Sequence, residues 1–261
     1  MPPRDTWFIR RTVSAPRLRL FCFSHAGGSA ADYLHWHPHL GPHLELCAVQ
    51  LPGRGSRMAE TPRDDLPRLV AELLQMLRAS DDGLPFAFFG HSLGALLAFE
   101  LSQALREQSL ALPLRLFASG CAAPSVCRLE PPLHRLDDIQ LLEQLRGYNG
   151  TPPGVLANPD LLGLVLPTLR ADFRLVGDYH YRQRPALPVP IHVLAGHDDP
   201  HVAPADLVAW ADETSAGCSH HGFAGDHFFI RPQAAAIRRI LLDALATTLT
   251  GPARRAAIQW Q

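Results

Sequence analysis

A mostly parallel α/β sheet with helices on both faces, interrupted by one helical insertion, is the architecture this sequence predicts. Three observations carry it. Short apolar runs of strand length alternate with stretches of helical apolar spacing, the pattern of a doubly wound sheet. Several of the strand-like runs end in glycine-rich loops, where the chain must turn sharply. The alternation then breaks once, over residues 121–188, and resumes. With 261 residues, the economical reading is one domain spanning 1–261 that carries an insertion.

The elements follow in order. Residues 18–23 read as a strand that runs directly into Ser24-His25-Ala26-Gly27-Gly28-Ser29-Ala30, a tight loop with exposed backbone amides. Residues 44–51 form a second strand ending in Pro52-Gly53-Arg54-Gly55. Over 63–79, Leu66, Leu69, Val70, Leu73, Leu74 and Leu77 recur at helical spacing. Pro85-Phe86-Ala87-Phe88-Phe89 is a short apolar strand, followed by Gly90-His91-Ser92-Leu93-Gly94 and then a helix-like run over 93–107. Residues 114–120 and 190–196 are two further buried strands, and 203–213 and 232–249 read as helices. Between those two strands, 121–188 holds several prolines and helical pieces at 137–147 and 160–178. A segment this long reads as a lid, with a plain structural insertion as the alternative. Residues 251–261 read as a loose tail.

Bulk properties exclude several function classes. Hydrophobic residues make up 47% of the chain, yet no apolar run approaches the roughly 18 to 20 residues that span a bilayer. Met1-Pro2-Pro3-Arg4-Asp5-Thr6-Trp7 lacks the apolar core and cleavage site of a signal peptide, so a cytoplasmic protein is expected. The five cysteines are scattered, with no C-x-x-C pair, which supports neither a zinc ribbon nor a disulfide framework. A net charge of −1 argues against general nucleic-acid binding. Every basic residue is Arg, which excludes a lysine nucleophile or Schiff base. His35, His37, His39 and His43 cluster in sequence, but Pro38 and Gly41-Pro42 break any regular ligand geometry, so no metal is expected.

Chemistry concentrates at Ser92. The run Gly90 to Gly94 reads G-x-S-x-G between a strand and a helix, the context of a nucleophile elbow; the small flanking residues let strand and helix pass close together. At a helix N-terminus the hydroxyl meets unpaired N–H groups that favour negative charge. A serine hydroxyl is a poor nucleophile at neutral pH and needs a histidine base held by a carboxylate. On α/β-hydrolase folds the order is Ser, acid, His. Asp198 and Asp199 are the carboxylates that immediately follow a predicted strand; Asp199 is preferred because it stands just before Pro200, with Asp198 as the alternative. His227, after Gly225-Asp226 and before the last helix, is the candidate base. His220 and His221 are rivals inside the preceding run, and His197 and His201 read as loop residues. The oxyanion donors expected are the backbone N–H of Leu93 and that of Ala26.

Together these residues resemble a known family. Ser24 to Ala30, Leu51-Pro52-Gly53-Arg54, Gly90 to Gly94, Leu166-Pro167-Thr168-Leu169-Arg170-Ala171-Asp172-Phe173 and Gly225-Asp226-His227-Phe228-Phe229 are similar, in this order, to the stand-alone type II thioesterases of nonribosomal peptide synthetases and polyketide synthases. The resemblance spans about residues 18 to 245. It implies an α/β-hydrolase that removes stalled or aberrant acyl groups from phosphopantetheine arms of carrier domains, with a mobile helical lid and no cofactor. It carries nucleophile, acid and base onto Ser92, Asp199 and His227, and the oxyanion amides onto Ala26 and Leu93. The expected partners are acyl and peptidyl carrier domains, with no nucleic acid or membrane, and the expected state is a monomer. Ser24, Gly55, Ser56 and Tyr148-Asn149-Gly150-Thr151-Pro152 depart from the family pattern, the last in the lid. A carboxylesterase or lipase, or an acyltransferase, would use the same residues; a non-catalytic ligand-binding relative is the remaining class. Arg54, Arg57, Arg63 and Arg68 are weighed as a patch for a pantetheine phosphate or an acidic carrier surface, against scattered solvated arginines.

Overall fold

Strand-length apolar runs assemble into one sheet in a computed structural model that describes residues 6–128 and 131–250. The tail expected at 251–261 lies outside the described residues. The seven strands are β1 (Phe8–Arg11), β2 (Leu18–Phe23), β3 (Leu44–Val49), β4 (Phe86–His91), β5 (Leu116–Ser119), β6 (Ile191–Gly196) and β7 (Cys218–Phe223). Their order across the sheet is β1-β3-β2-β4-β5-β6-β7. Neighbours run parallel except β1, which pairs antiparallel with β3, Phe8 opposite Val49. The sequence reading omits β1. It is a four-residue edge strand, too short for periodicity to register.

Helices cover both faces. They are α1 (Ala31–Leu34), α2 (Leu66–Ala79), α3 (Leu93–Glu107), α4 (Asp138–Tyr148), α5 (Pro153–Leu156), α6 (Pro159–Gly177), α7 (Pro204–Val208) and α8 (Ala234–Thr250). Side chains alternate along a strand, so β2 sends Phe21 and Phe23 into a core shared with Leu69 and Leu73 of α2 and Leu97 and Leu101 of α3. Leu18, Leu20 and Cys22 point the other way, into a core shared with Tyr33 of α1 and Ile237 and Leu241 of α8. Phe23 and Phe88 meet edge to face with centroids 5.3 Å apart, a geometry worth about 0.5–1.5 kcal/mol beyond area burial. Burial on both faces explains why β2, β3 and β4 are apolar or fully enclosed along their whole length.

Two predicted helices differ at their ends. The Asp65 carboxylate accepts the Arg68 N–H at 2.8 Å and Pro67 occupies the first turn, so α2 starts three residues later than 63. Residues 203–213 divide into α7 and a 3-10 turn, Ala209–Glu213. That turn buries Trp210 completely and aims its indole N–H at the Cys121 carbonyl, 2.9 Å away.

The segment between β5 and β6 holds α4, α5 and α6. Asp137 and Gln140 form a capping box that starts α4. Asn149 ends it in the left-handed region, φ 57°. Pro153 opens the short α5, which the sequence reading leaves as loop. Leu133, Leu141, Leu145, Leu169 and Phe173 give this segment an apolar cluster of its own, apart from the two sheet cores. Among the described residues no helix is long and apolar enough to cross a membrane.

Candidate active site

Parallel strands place the loops after β2, β4, β6 and β7 at one edge of the sheet, and Ala26, Ser92, Leu93, Asp199 and His227 all lie there. At the end of β4 the chain turns through Ser92 at φ 55° and ψ −121°, a strained conformation for a residue with a Cβ. Neither flanking glycine tolerates a side chain. A Cβ on Gly90 would lie 2.1 Å from the Gly94 carbonyl oxygen, and one on Gly94 would lie 2.1 Å from that of Phe23. The Ser92 N–H donates to the Ser119 carbonyl of β5 at 2.8 Å, so the elbow is braced by backbone.

Asp199 and His227 meet across the next two loops. His227 Nδ1 stands 2.8 Å from Asp199 Oδ2, with side-chain exposures of 5% and 1%. The other carboxylate oxygen of Asp199 accepts the His201 N–H at 2.9 Å. With its Nδ1–H donating to the carboxylate, the imidazole keeps Nε2 as an acceptor. Asp198 is exposed; its backbone N–H donates to the Gly225 carbonyl at 3.0 Å, which ties the Asp199 loop to the His227 loop. His220 and His221 stay on β7: His220 Nε2 meets the Leu207 carbonyl at 3.1 Å and His221 lies against His192 and Ser219.

Ser92 and His227 line one cavity of about 270 Å³, together with Ala26, Arg54, Tyr148 and Phe228. Its far wall is apolar, built from Leu145 of α4, Val155 of α5 and Leu164, Val165 and Leu169 of α6.

In the loop after β2, the amides of residues 27 to 30 are committed. Gly27 N–H donates to Asp172 Oδ2 at 2.7 Å, Gly28 to the His25 carbonyl at 2.9 Å, Ser29 to Asp32 at 2.8 Å and Ala30 to Gln50 at 3.2 Å. Ala26 N–H has no acceptor among the described residues. Leu93, the first residue of α3, carries an amide that no helical carbonyl can satisfy. Both amides belong to residues that sequence reasoning names as oxyanion donors.

Several residues that shape the site lie inside sequence motifs that give them no role of their own. His25 is half-buried, its ring edge-on to Phe228 at 4.8 Å, and desolvation, assisted by Arg231, His227 and Arg54, pushes its pKa down to about 3. His91 is enclosed and also held well below the usual histidine range, by burial first; its Nδ1 meets Ser119 Oγ at 2.9 Å. Both imidazoles are neutral at pH 7. Tyr148, at the end of α4, stacks on His201 with centroids 3.6 Å apart and 2° between planes, and meets His227 edge on at 5.6 Å. Next to it, Asn149 Nδ2 donates to Asp226 at 3.2 Å and Arg231 donates to the Gly150 carbonyl at 2.9 Å.

The arginines considered as a patch are committed elsewhere. Arg54 is buried and holds Asp172 through two hydrogen bonds of 2.6 and 2.7 Å. Arg57 is buried too, bonded to Glu60 and stacked over Trp7 at 3.9 Å. Arg63 and Arg68 share Glu72. They do not form a free basic patch: Arg54 and Arg57 are buried ion-pair members, Arg63 is half-buried, and Arg68 alone of the four is a solvated side chain, 69% exposed. Among the described residues no three His, Cys, Asp or Glu side chains group as a metal site.

The sequence pattern of the Thioesterase domain matches residues 18–245. The gramicidin S biosynthesis protein GrsT of Aneurinibacillus migulanus is 40% identical over 230 residues, covering 87% of this chain and 88% of GrsT. Among solved structures, the type II thioesterase BorB from the borrelidin biosynthetic cluster superposes with a TM-score of 0.82 at 37% identity, over 93% of this chain and 97% of its own. YbtT, a type II thioesterase from the yersiniabactin NRPS/PKS pathway, superposes with a TM-score of 0.84 at 29% identity, over 94% and 100%.

Proposed function

The chain belongs to the thioesterase family, and from that premise we propose that it is an editing hydrolase for acyl groups held on phosphopantetheine arms of carrier domains in nonribosomal peptide and polyketide synthesis. The observation that carries the reading is the Asp199–His227 pair opening onto the cavity that Ser92 lines. In this reading Nε2 of His227 takes the Ser92 hydroxyl proton while Oγ attacks the thioester carbonyl. The oxyanion forms against the Ala26 and Leu93 amides. Collapse breaks the C–S bond as His227 returns that proton to the pantetheine sulfur, which, with a thiol pKa of about 8.5, leaves more readily than an amine. Water then gives a proton to the neutral His227 and attacks the acyl-serine; the C–Oγ bond breaks, His227 returns the proton to Ser92 Oγ, and a carboxylic acid leaves.

The segment from α4 to α6 is the lid of this reading, supported by its separate apolar cluster and by the apolar wall it contributes. The reading includes a cytosolic monomer. Five free cysteines suit a reducing compartment. The test is thiol release from an acyl group loaded on a carrier domain. Ser92→Ala is expected to lower turnover by about four orders of magnitude or more; retention of a tenth of the parent rate overturns the assignment. Oxygen esters assayed alongside, and product masses with added alcohol or amine, separate thioester hydrolysis from esterase and acyl-transfer activity.

A further inference from the structure

Asp172 lies on α6, inside the segment read as a lid, yet its carboxylate is fully buried and serves the loop after β2. It accepts Arg54 Nη1 at 2.6 Å and Arg54 Nη2 at 2.7 Å, a bidentate arrangement that fixes both groups in one plane. Oδ2 also accepts the Gly27 N–H at 2.7 Å. Arg54 reaches the same loop from the other side, donating from Nη1 to the Gly28 carbonyl at 3.2 Å. One turn earlier on α6, Thr168 donates to the Gly53 carbonyl at 2.8 Å, and Leu169 lies so close to Gly27 that a Cβ there would stand 2.5 Å from its Cδ2.

The geometry points to Asp172 and Arg54 as positioning residues for the oxyanion loop, an inference that rests on the proposed acyl-serine mechanism. Gly27 sits at φ 76°, a region open to glycine but not one that holds it. Left to itself, the peptide between Ala26 and Gly27 is free to rotate. The carboxylate removes that freedom by capturing the Gly27 N–H. That plane, which carries the Ala26 carbonyl and the Gly27 N–H, is then fixed and pins Ala26 from its C-terminal side; the Gly27 donor is taken out of competition, and the Ala26 N–H, in the preceding peptide, is left without an acceptor among the described residues. The pair does not touch the reacting atoms. It acts through the direction of a neighbouring N–H, which matters only when negative charge develops on the carbonyl oxygen. It also anchors the C-terminal half of α6 to the catalytic edge, on the far side of Pro167 from the Leu164 wall.

The test uses the full chain. Removing one partner of a buried ion pair leaves an uncompensated charge, whereas exchanging both for apolar residues of similar size preserves packing. The double variant Arg54→Met with Asp172→Leu is therefore expected to fold, and to lower kcat by about 10- to 100-fold with KM within about threefold of the parent. Affinity for an acyl trifluoromethyl ketone, which forms a tetrahedral adduct, is expected to fall by the same factor as kcat. A purely structural role would not produce that parallel. Should the double variant fail to fold, Arg54→Lys keeps the buried charge compensated while losing the two-pronged bond, and is expected to lower kcat and analogue affinity together. Parent-like kcat in a folded variant overturns the inference, as does a raised KM with unchanged kcat. Ser92→Ala assayed in parallel separates the two claims: activity there sinks the nucleophile assignment, whereas its inactivity beside a fully active double variant sinks only the positioning role.

Discussion

The floor of the cavity and its roof are held in different ways. The floor is fixed by main chain: Ser92 N–H to the Ser119 carbonyl at 2.8 Å, His197 N–H to that of Phe223 at 2.8 Å, and Asp198 N–H to that of Gly225 at 3.0 Å. These bonds extend the sheet into the loops and depend little on which side chains are present. The roof, α4 to α6, reaches the floor chiefly through side chains: Tyr148 on His201, Asn149 on Asp226, Arg231 on the Gly150 carbonyl and Asp172 on Arg54. The division separates two demands. Chemistry needs sub-ångström placement and is built on the sheet. Recognition of an acyl chain tolerates variation and is built on helices that can differ without disturbing it.

The largest effect expected from breaking the floor is at Asp199. Asp199→Asn removes the acceptor that orients His227 and is expected to lower kcat by about 10⁴-fold. Asp198→Asn alters an exposed side chain and is expected to stay within about twofold, since its contribution to the floor is its backbone N–H. Steady-state hydrolysis of one acyl-pantetheine thioester by both variants decides the matter. Equal losses would remove the distinction between the two carboxylates.

A second effect follows from the desolvated imidazoles of the floor. His25 has a pKa of about 3 in the folded protein, against 6.5 as its ordinary value. Between those limits the unfolded chain binds a proton that the folded chain does not. Stability is therefore full above pH 6.5 and falls as the pH drops, by up to about 1.4 kcal/mol per pH unit for each such group. His91, also lowered by burial, adds in the same direction. Urea midpoints at pH 7, 6 and 5 are expected to decline steadily, and His25→Gln is expected to flatten that slope by about one proton. An unchanged slope would show that His25 opens to solvent.

The floor was the legible part of the molecule. Gly90, Ser92 and Gly94 announce a turn between strand and helix because no other residues fit so close an approach, and chain order then nominates an acid and a base. The geometry brings Asp199, not Asp198, to His227. The roof was less legible because its contacts join residues far apart in sequence. Nothing in the spacing of Arg54 and Asp172, 118 residues apart, pairs them, so an arginine that looks solvated in the sequence is buried against a carboxylate of the lid segment. Strand β1 was missed for a different reason: four residues at a sheet edge carry too little pattern. Tyr148-Asn149-Gly150 stood out as an unusual lid sequence, but its seat on the His201 and Asp226 loops needed coordinates.

Where roof meets floor, two glycines give opposite expectations. A Cβ on Gly150 would lie 2.4 Å from Cζ of Phe228, a ring held between His25 and Arg231. Gly150→Ala is expected to destabilise by about 1–3 kcal/mol through overpacking and to push the end of α4 away from His227. Gly147 lies within α4 and has nothing within 4 Å of its Cβ position. There Ala is expected to stabilise by about 0.5–1 kcal/mol, because glycine loses the most freedom in a helix. Thermal melts of the two variants should move in opposite directions. Shifts of the same sign would mean that the Gly150 seat is not a tight one.

The smallest stability effect is expected at Leu164, and there the roof can be tested alone. This leucine lies on α6, is 58% exposed and lines the cavity wall away from the sheet. Leu164→Ala removes little buried area, so stability should change by no more than about 0.5 kcal/mol. An acyl chain long enough to reach it covers the side chain on binding and gains apolar burial that a short chain does not. Each methylene contact is worth about 0.8 kcal/mol, so kcat/KM for a long acyl group is expected to fall by about three- to tenfold while that for an acetyl group holds. If both chains lose equally, the wall acts on the catalytic floor and the separation of chemistry from recognition fails at this position.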